Sequence, residues 1–208
     1  MQNTLEQAPL APDAAALRAM YAARKEVFID LLKWDLPVLA GTYEIDQFDN
    51  PDAEYLILLD PDDGRHRASA RLLQTDRPHL LADLYPYLCD GPPPMGPTVR
   101  EITRFCLDRH QTALERRSAR NQLVTALAEH ALRTGITDYT GVAELSWFMQ
   151  IVRFGWYCVP LGGAVRREGQ TLVALHIRID ERTIDGLRRT GIYERTSLRL
   201  FGAEGGVA

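Results

Sequence analysis

The sequence predicts an α/β domain in which a mixed, mostly antiparallel sheet is sandwiched by helices. Three observations carry that expectation. Apolar residues recur at helical spacing near residues 11–34 and again over 111–135. Between these stretches, two apolar runs are joined by the turn DPDDGR (60–65), whose Asp and Gly content marks an antiparallel hairpin. Short apolar runs punctuated by glycine then alternate with helical patterns, and a sheet covered by helices satisfies both periods.

Taken in order, the first element is APDAAALRAMYAARKEVFIDLLKW. Asp13 can cap it, and Leu17, Met20, Tyr21, Val27, Phe28 and Leu31 form its apolar stripe. Arg24 falls inside that stripe, and an arginine that faces a core needs an anionic partner. TYEIDQFDN follows as a candidate partner, with Glu44, Asp46 and Asp49 set among Tyr43, Ile45 and Phe48, although by itself it reads as a loop with solvated acids. AEYLILLD (53–60) and HRASARLLQT (66–75) are the two strands of the hairpin. PHLLADLYPYL (78–88) is a short amphipathic helix interrupted at Pro86, and DGPPPMGPT (90–98) is an exposed loop, because consecutive prolines fit neither a helix nor an interior strand.

VREITRF (99–105) is a strand with unusual charge. Alternation puts Glu101, Thr103 and Phe105 on one face and Ile102 and Arg104 on the other, with Arg100 a surface charge. The run QTALERRSARNQLVTALAEHALRTG is a long helix that stops at Gly135 and buries Leu123, Val124, Leu127, Ala128 and Ala131. ITDYTGVA is a strand, ELSWFMQIVRFG a helix ending at Gly155, and WYCVPLG and QTLVALHIRI are further strands.

At 208 residues with 46% apolar content, one well-buried core suffices, so a single domain over residues 1–208 is expected. No apolar run approaches bilayer length and the N-terminal MQNTLEQAPLAPD lacks signal-peptide character, which points to a cytoplasmic protein without membrane attachment. Cys89, Cys106 and Cys158 are widely spaced and set in apolar text, and read as buried small hydrophobes. The five histidines show no ligand spacing, so no metal is expected. Net charge is −4, with residues 1–108 carrying 10 basic against 18 acidic side chains and residues 109–208 carrying 14 against 10. The acidic half suits a cationic ligand and the basic half an acidic partner, while the overall acidity disfavours nucleic acid.

The set Arg24, Val27-Phe28, Trp34, Glu44-x-Asp46-Gln47-x-Asp49, Arg71-Leu72-Leu73-x-Thr75, Glu101-x-x-Arg104-Phe105 and Gly155-Trp156 resembles the acyl-homoserine lactone synthases, the autoinducer synthases of bacterial quorum sensing. The resemblance covers residues 20–180 in order. It implies a fold like that of the GNAT N-acyltransferases. It also implies two substrates, S-adenosylmethionine and an acyl thioester on acyl carrier protein or coenzyme A, with no separate cofactor. In that chemistry the α-amine of S-adenosylmethionine attacks the thioester carbonyl, and the methionyl carboxylate then displaces the sulfonium to close the lactone and release methylthioadenosine.

Carried onto this chain, the resemblance implies Glu101, Arg104 and Arg24 as the catalytic group. Glu101 accepts the amine proton, while Arg24 and Arg104 balance Asp46, Asp49 and Glu101 and engage the substrate carboxylate. Phe28, Trp34, Asp46, Asp49 and Arg71 are implied around S-adenosylmethionine, the aromatic faces suiting its sulfonium. Thr103, Phe105, Ala143, Trp147, Met149 and Leu175 are expected along the acyl chain. The oxyanion is expected at backbone N–H groups beside a strand irregularity.

The chain departs from the family pattern in places. Phe48 stands for a commoner Tyr and Gln74 for a Pro. Ala143 replaces the Thr hydroxyl of members that use 3-oxo chains, so an unsubstituted or 3-hydroxy chain is expected. ERRSARNQ, at the start of the long helix, lacks the glycines of a pyrophosphate loop. Together with Arg116, Arg117, Arg120, Arg153, Arg166 and Arg167, this favours acyl carrier protein over coenzyme A. Two other readings compete: an ordinary N-acetyltransferase using acetyl-coenzyme A on a small amine, and a member that binds without turnover.

Overall fold

A computed structural model describes residues 12–167, 169–195 and 199–201; the remaining parts of the expected 1–208 domain lie outside the described residues. Helix α1 (Pro12–Arg24) contains Asp13 rather than starting after it, so Asp13 is not its cap. At Lys25 the winding loosens into a π-helix, Lys25–Leu31, in which the Leu32 N–H donates to the Val27 carbonyl at 2.9 Å. The wider turn breaks the expected continuous stripe. It buries Arg24, Val27 and Phe28 together and turns Leu31 out to 48% exposure. π-turns inside helices often mark functional sites.

A two-stranded ribbon follows, β1 (Val38–Leu39) with β2 (Tyr43–Glu44). The hairpin forms as expected from β3 (Glu54–Leu59) and β4 (His66–Gln74), paired antiparallel. The interrupted helix is α2 (Leu80–Leu84) followed by a 3-10 turn, Pro86–Leu88. Strand β5 (Val99–Leu107) carries the charged stretch, and α3 (Ala113–Thr134) is opened by a Thr112/Glu115 capping box and closed by Gly135 at φ 75°. Such a left-handed stop favours glycine.

Strand β6 (Asp138–Glu144) leads into α4 (Leu145–Ile151) and a 3-10 turn to Phe154. Strands β7 (Tyr157–Pro160), β8 (Val165–Arg167) and β9 (Gln170–Arg178), helix α5 (Thr183–Arg189) and strand β10 (Arg199–Phe201) complete the described chain. Neither the short β1, β2, β8 and β10 nor α5 is signalled by sequence periodicity.

The main sheet runs β10-β3-β4-β5-β6-β9-β7, with β8 on β9. Among the described residues only β5 and β6 pair in parallel; the other pairs of this sheet are antiparallel. That parallel pairing covers Val99–Ile102 against Asp138–Gly141. Beyond it the two strands part, and β5 continues to Leu107 while β6 continues to Glu144. One face of the sheet packs α1 through Met20, Phe48, Tyr55, Ile57 and Leu73, and α2 through Leu81, Leu88 and Ala174. The other face holds the largest core, where Leu56, Leu72, Leu123, Leu127, Phe148 and Leu175 bring α3, α4 and α5 against the sheet. Helices on both faces satisfy the predicted sandwich.

The cysteine expectation holds only for Cys106, which is fully buried; Cys89 and Cys158 are half-buried, and all three are free. Arg100 is not a free surface charge either. It is half-buried, donating to Glu54 at 3.3 Å and to the Pro97 carbonyl at 2.8 Å.

Candidate functional site

Strict alternation fails in β5, and that failure builds the site. Arg71 pairs with Thr103 and Ser69 with Cys106, so two residues, Arg104 and Phe105, stand opposite the single Ala70. Arg104 takes φ 49°, a left-handed conformation costly for a residue with a Cβ. The bulge rotates Arg104 to the α1 face with Thr103 and Cys106. Phe105 instead turns to the opposite face, against Trp147, with ring centroids 5.4 Å apart. Thr103 and Phe105 therefore do not share a face. Thr103 belongs to the polar cluster, where its hydroxyl accepts from Arg71 Nε at 2.9 Å, and does not line an apolar path with Phe105.

Three arginines and three carboxylates interlock beneath α1. Arg24 donates through Nε to Glu44 at 2.5 Å and through both terminal nitrogens to Asp49 at 2.8 Å each. Arg71 grips Asp46 at 2.6 and 3.2 Å and also reaches Asp49 at 2.9 Å. Arg104 spans Glu44 at 3.1 Å and Asp46 at 2.7 Å. The Tyr55 hydroxyl adds a bond to Asp49 at 2.8 Å. Every acid is shared by two guanidinium groups, so the formal charges cancel within the cluster.

Burial would push the Asp49 carboxyl up, but its bonds to Arg24 and the charges of Arg24 and Arg71 hold it well below the usual carboxylate range. The same pairing outweighs desolvation at Arg24 and fixes its charge. The acids of TYEIDQFDN are thus not solvated: Glu44 is fully buried, and the side chains of Asp46 and Asp49 are 5% and 0% exposed. Glu44, Asp46 and Asp49 lie close enough together for a metal, yet each already faces two arginines. Glu44 is the member missing from the sequence-derived site set, although its alternation with Asp46 in the same run is the signal for it.

Glu101 stands apart from this cluster. It does not pair with Arg24 or Arg104. Its Oε1 accepts the Leu81 N–H at 2.9 Å, capping α2, while its buried Oε2 has no partner among the described residues. Desolvation pushes its carboxyl up to about 8, against the lowering effect of the Leu80 and Leu81 amides. Such a group exchanges a proton near neutral pH.

Phe28 and Trp34 stack with centroids 5.0 Å apart and planes 15° from parallel, and the Arg104 guanidinium lies 5.7 Å from the Phe28 centroid. Trp34 is half-buried at this edge of the cluster. A cleft of about 240 Å³ opens beside α2, lined by Phe48, Leu73, Gln74, Arg77 and Asp83 among others, but not by Phe28 or Trp34. On the opposite face Ala143, Leu175, Phe105 and Trp147 join one apolar cluster, whereas Met149 is 48% exposed and lies outside it because α4 turns that side chain to solvent. The six arginines form no single patch. Arg120 lies over Phe154, which brings the start of α3 to the turn that carries Arg153. Arg166 and Arg167 sit on β8, and Arg167 packs over Tyr87 on the other face of the sheet.

The splayed parallel pair within an antiparallel sheet, one of its two strands bulged and charged, is the frame of an N-acyltransferase fold. A putative N-acetyltransferase from Lactobacillus plantarum shares this fold, with a TM-score of 0.52 at 22% identity over 82% of this chain and 94% of that one. Residues 11–187 match the autoinducer synthase family model, and the chain belongs to that family. An acyl-homoserine-lactone synthase of Ralstonia nicotianae is 34% identical over 86% of this chain and 88% of its own length, and one of Rhizobium etli is 32% identical over 84% and 83%. Among solved structures, TofI in a ternary complex with an inhibitor and MTA superposes with a TM-score of 0.71 at 32% identity, covering 88% of this chain and 94% of that one. The CoA-dependent acyl-homoserine lactone synthase BjaI, with SAM and isopentyl-CoA, reaches 0.75 at 25% identity, covering 89% and 88%.

Proposed function

We propose that this acyltransferase makes an N-acyl-homoserine lactone from S-adenosylmethionine and an acyl thioester, with Glu101 as the group that takes the amine proton. The observation that carries the assignment is the carboxyl of Glu101: one oxygen is fixed by α2, the other has no partner among the described residues, and burial pushes the group up to about 8. The amine attacks the thioester carbonyl, the carrier thiol leaves, and the methionyl carboxylate displaces the sulfonium as methylthioadenosine departs. No protein nucleophile is needed, which agrees with three cysteines that are all held above the ordinary thiol range, mainly by burial.

Phe28 and Trp34 offer the sulfonium an aromatic face, and Arg104 beside them meets the substrate carboxylate. Asp46, Asp49 and Glu44 act through the arginines they hold, with Arg24 and Arg71 as struts that fix the position of Arg104. The gap where β5 and β6 part receives the thioester, with the bulge at Arg104 beside the developing oxyanion. The acyl chain runs into the opposite face between Phe105, Ala143, Trp147 and Leu175. Without a hydroxyl at Ala143 that path favours an unsubstituted or 3-hydroxy chain.

The donor is acyl carrier protein, docked on Arg116, Arg117, Arg120 and Arg153 around the start of α3, whose text has no glycine to admit a pyrophosphate. No helix among the described residues is long and apolar enough to cross a membrane. The reaction needs no added cofactor, and its substrates place it in the cytoplasm.

The decisive test incubates purified protein with S-adenosylmethionine and either acyl-acyl carrier protein or acyl-coenzyme A. Methylthioadenosine release with lactone formation is the expected result. Acyl transfer without methylthioadenosine would return the chain to the ordinary N-acyltransferases.

A further inference from the structure

The sheet register places a row of polar side chains on the α2 face: Glu101 on β5 is level with Thr140 on β6, and Thr140 is level with His176 on β9. Level residues on adjacent strands lie about 5 Å apart with side chains on the same face. Thr140 is fully buried, and its Oγ1 has no partner among the described residues, the same condition as Oε2 of its neighbour Glu101. A buried hydroxyl and a buried carboxyl oxygen left unsatisfied on neighbouring strands are costly unless one ordered water bridges them. From Thr140 the row continues outward, because His176 Nε2 lies 2.6 Å from Asp138 Oδ1 and both side chains are partly open to solvent, at 17% and 23%.

We propose that Thr140 is a positioning residue for Glu101, and that Glu101, Thr140, His176 and Asp138 form the route by which the amine proton leaves the buried site. This rests on the reading of Glu101 as base. As the amine forms its bond to the thioester carbon, its proton passes to Glu101 Oε2. The carboxylic acid then hands it over the bridging water to the Thr140 hydroxyl, whose own proton passes over a second water to His176 Nδ1 as Nε2 releases one to Asp138 and on to solvent. Glu101 and Asp138 end as carboxylates, and the His176 ring, left in its other tautomer, returns to the first by exchange with solvent at its partly open edge. The route keeps the proton away from the arginine cluster, where the same positive charge would oppose a cationic substrate.

Thr140→Val keeps the shape and removes the hydroxyl. It is expected to lower kcat about tenfold, leave the KM for S-adenosylmethionine within about twofold and raise the solvent deuterium isotope effect, with Thr140→Ser restoring all three. Thr140→Val turning over within about twofold of wild type, or Thr140→Ser as slow as Thr140→Val, would overturn the proposal, the latter by assigning Thr140 to packing. Should Thr140→Val fail to fold, His176→Gln at the open end decides. A raised isotope effect with unchanged KM supports the route, and wild-type behaviour overturns it. Wild-type protein that releases no methylthioadenosine would instead overturn the functional reading itself, and this inference with it.

Discussion

At the scale of single residues, Glu101 shows how a fold moves the proton equilibrium of a carboxylate. Its side chain leaves water on a sheet row, and two backbone amides recover only part of the lost hydration, so the carboxyl titrates near 8 rather than near 4.5. In the free enzyme, kcat/KM is therefore expected to rise with pH up to about 8 and then level, and Glu101→Gln to lose at least about a hundredfold in kcat at pH 8 and above, by a margin that narrows at lower pH as wild-type Glu101 is protonated. Stability moves the other way. Between pH 4.5 and 8 the folded state holds a proton that the unfolded state has released, so stability falls as pH rises through that window. Glu101→Gln is expected to melt higher than wild type, by a margin that widens from pH 5 to pH 8 in thermal scans. Equal margins at both pH values would refute the raised pKa.

Arg24 is the contrasting case, a charge that must stay charged. Arg24→Met would leave Glu44 and Asp49 buried with half their partners gone, and a loss of about 3–5 kcal/mol in denaturant titration is expected. The demand for an anionic partner was legible from the position of Arg24 on its stripe. That Glu101 does not share the role was not legible, because partner choice depends on where a distant segment is laid down.

At the scale of elements, the two irregularities matter more than the regular parts. The π-turn at Lys25–Leu31 and the bulge in β5 both rephase a strip of residues so that groups alternation would separate face one pocket. Hairpin, long helix and glycine stops follow from local periodicity and turn chemistry, and the sequence shows them plainly. An inserted phase shift leaves no periodic trace. The bulge makes a sharp prediction: Arg104→Gly and Arg104→Ala lose the same ion pairs, yet the glycine variant is expected to be the more stable by about 1 kcal/mol, since φ 49° suits it. In a regular strand the order would reverse.

At the scale of the whole molecule, helix α5 is locked to the turn after α4 by two glycines set back to back. A Cβ on Gly186 would meet the Gly155 carbonyl oxygen at 2.0 Å, and one on Gly155 would meet Gly186 at 2.4 Å. Gly186→Ala is expected to lower Tm, although helix propensity alone would favour alanine by about 1 kcal/mol. That contact ties the last helix to the core that carries Phe154, Trp156 and Leu187, and through it to the sheet. One cooperative transition by calorimetry is accordingly expected, as for a single domain.

The sequence by itself determined the class of fold and the family, because periodicity, caps and short motifs are written in neighbouring positions. Tertiary structure alone decided that Glu101 stands outside the arginine network, that Thr103 and Phe105 part company, and that Met149 faces outward. Those outcomes depend on register, on one extra residue in a strand and on the desolvation of charge, and each is fixed only when segments far apart in the chain are brought together.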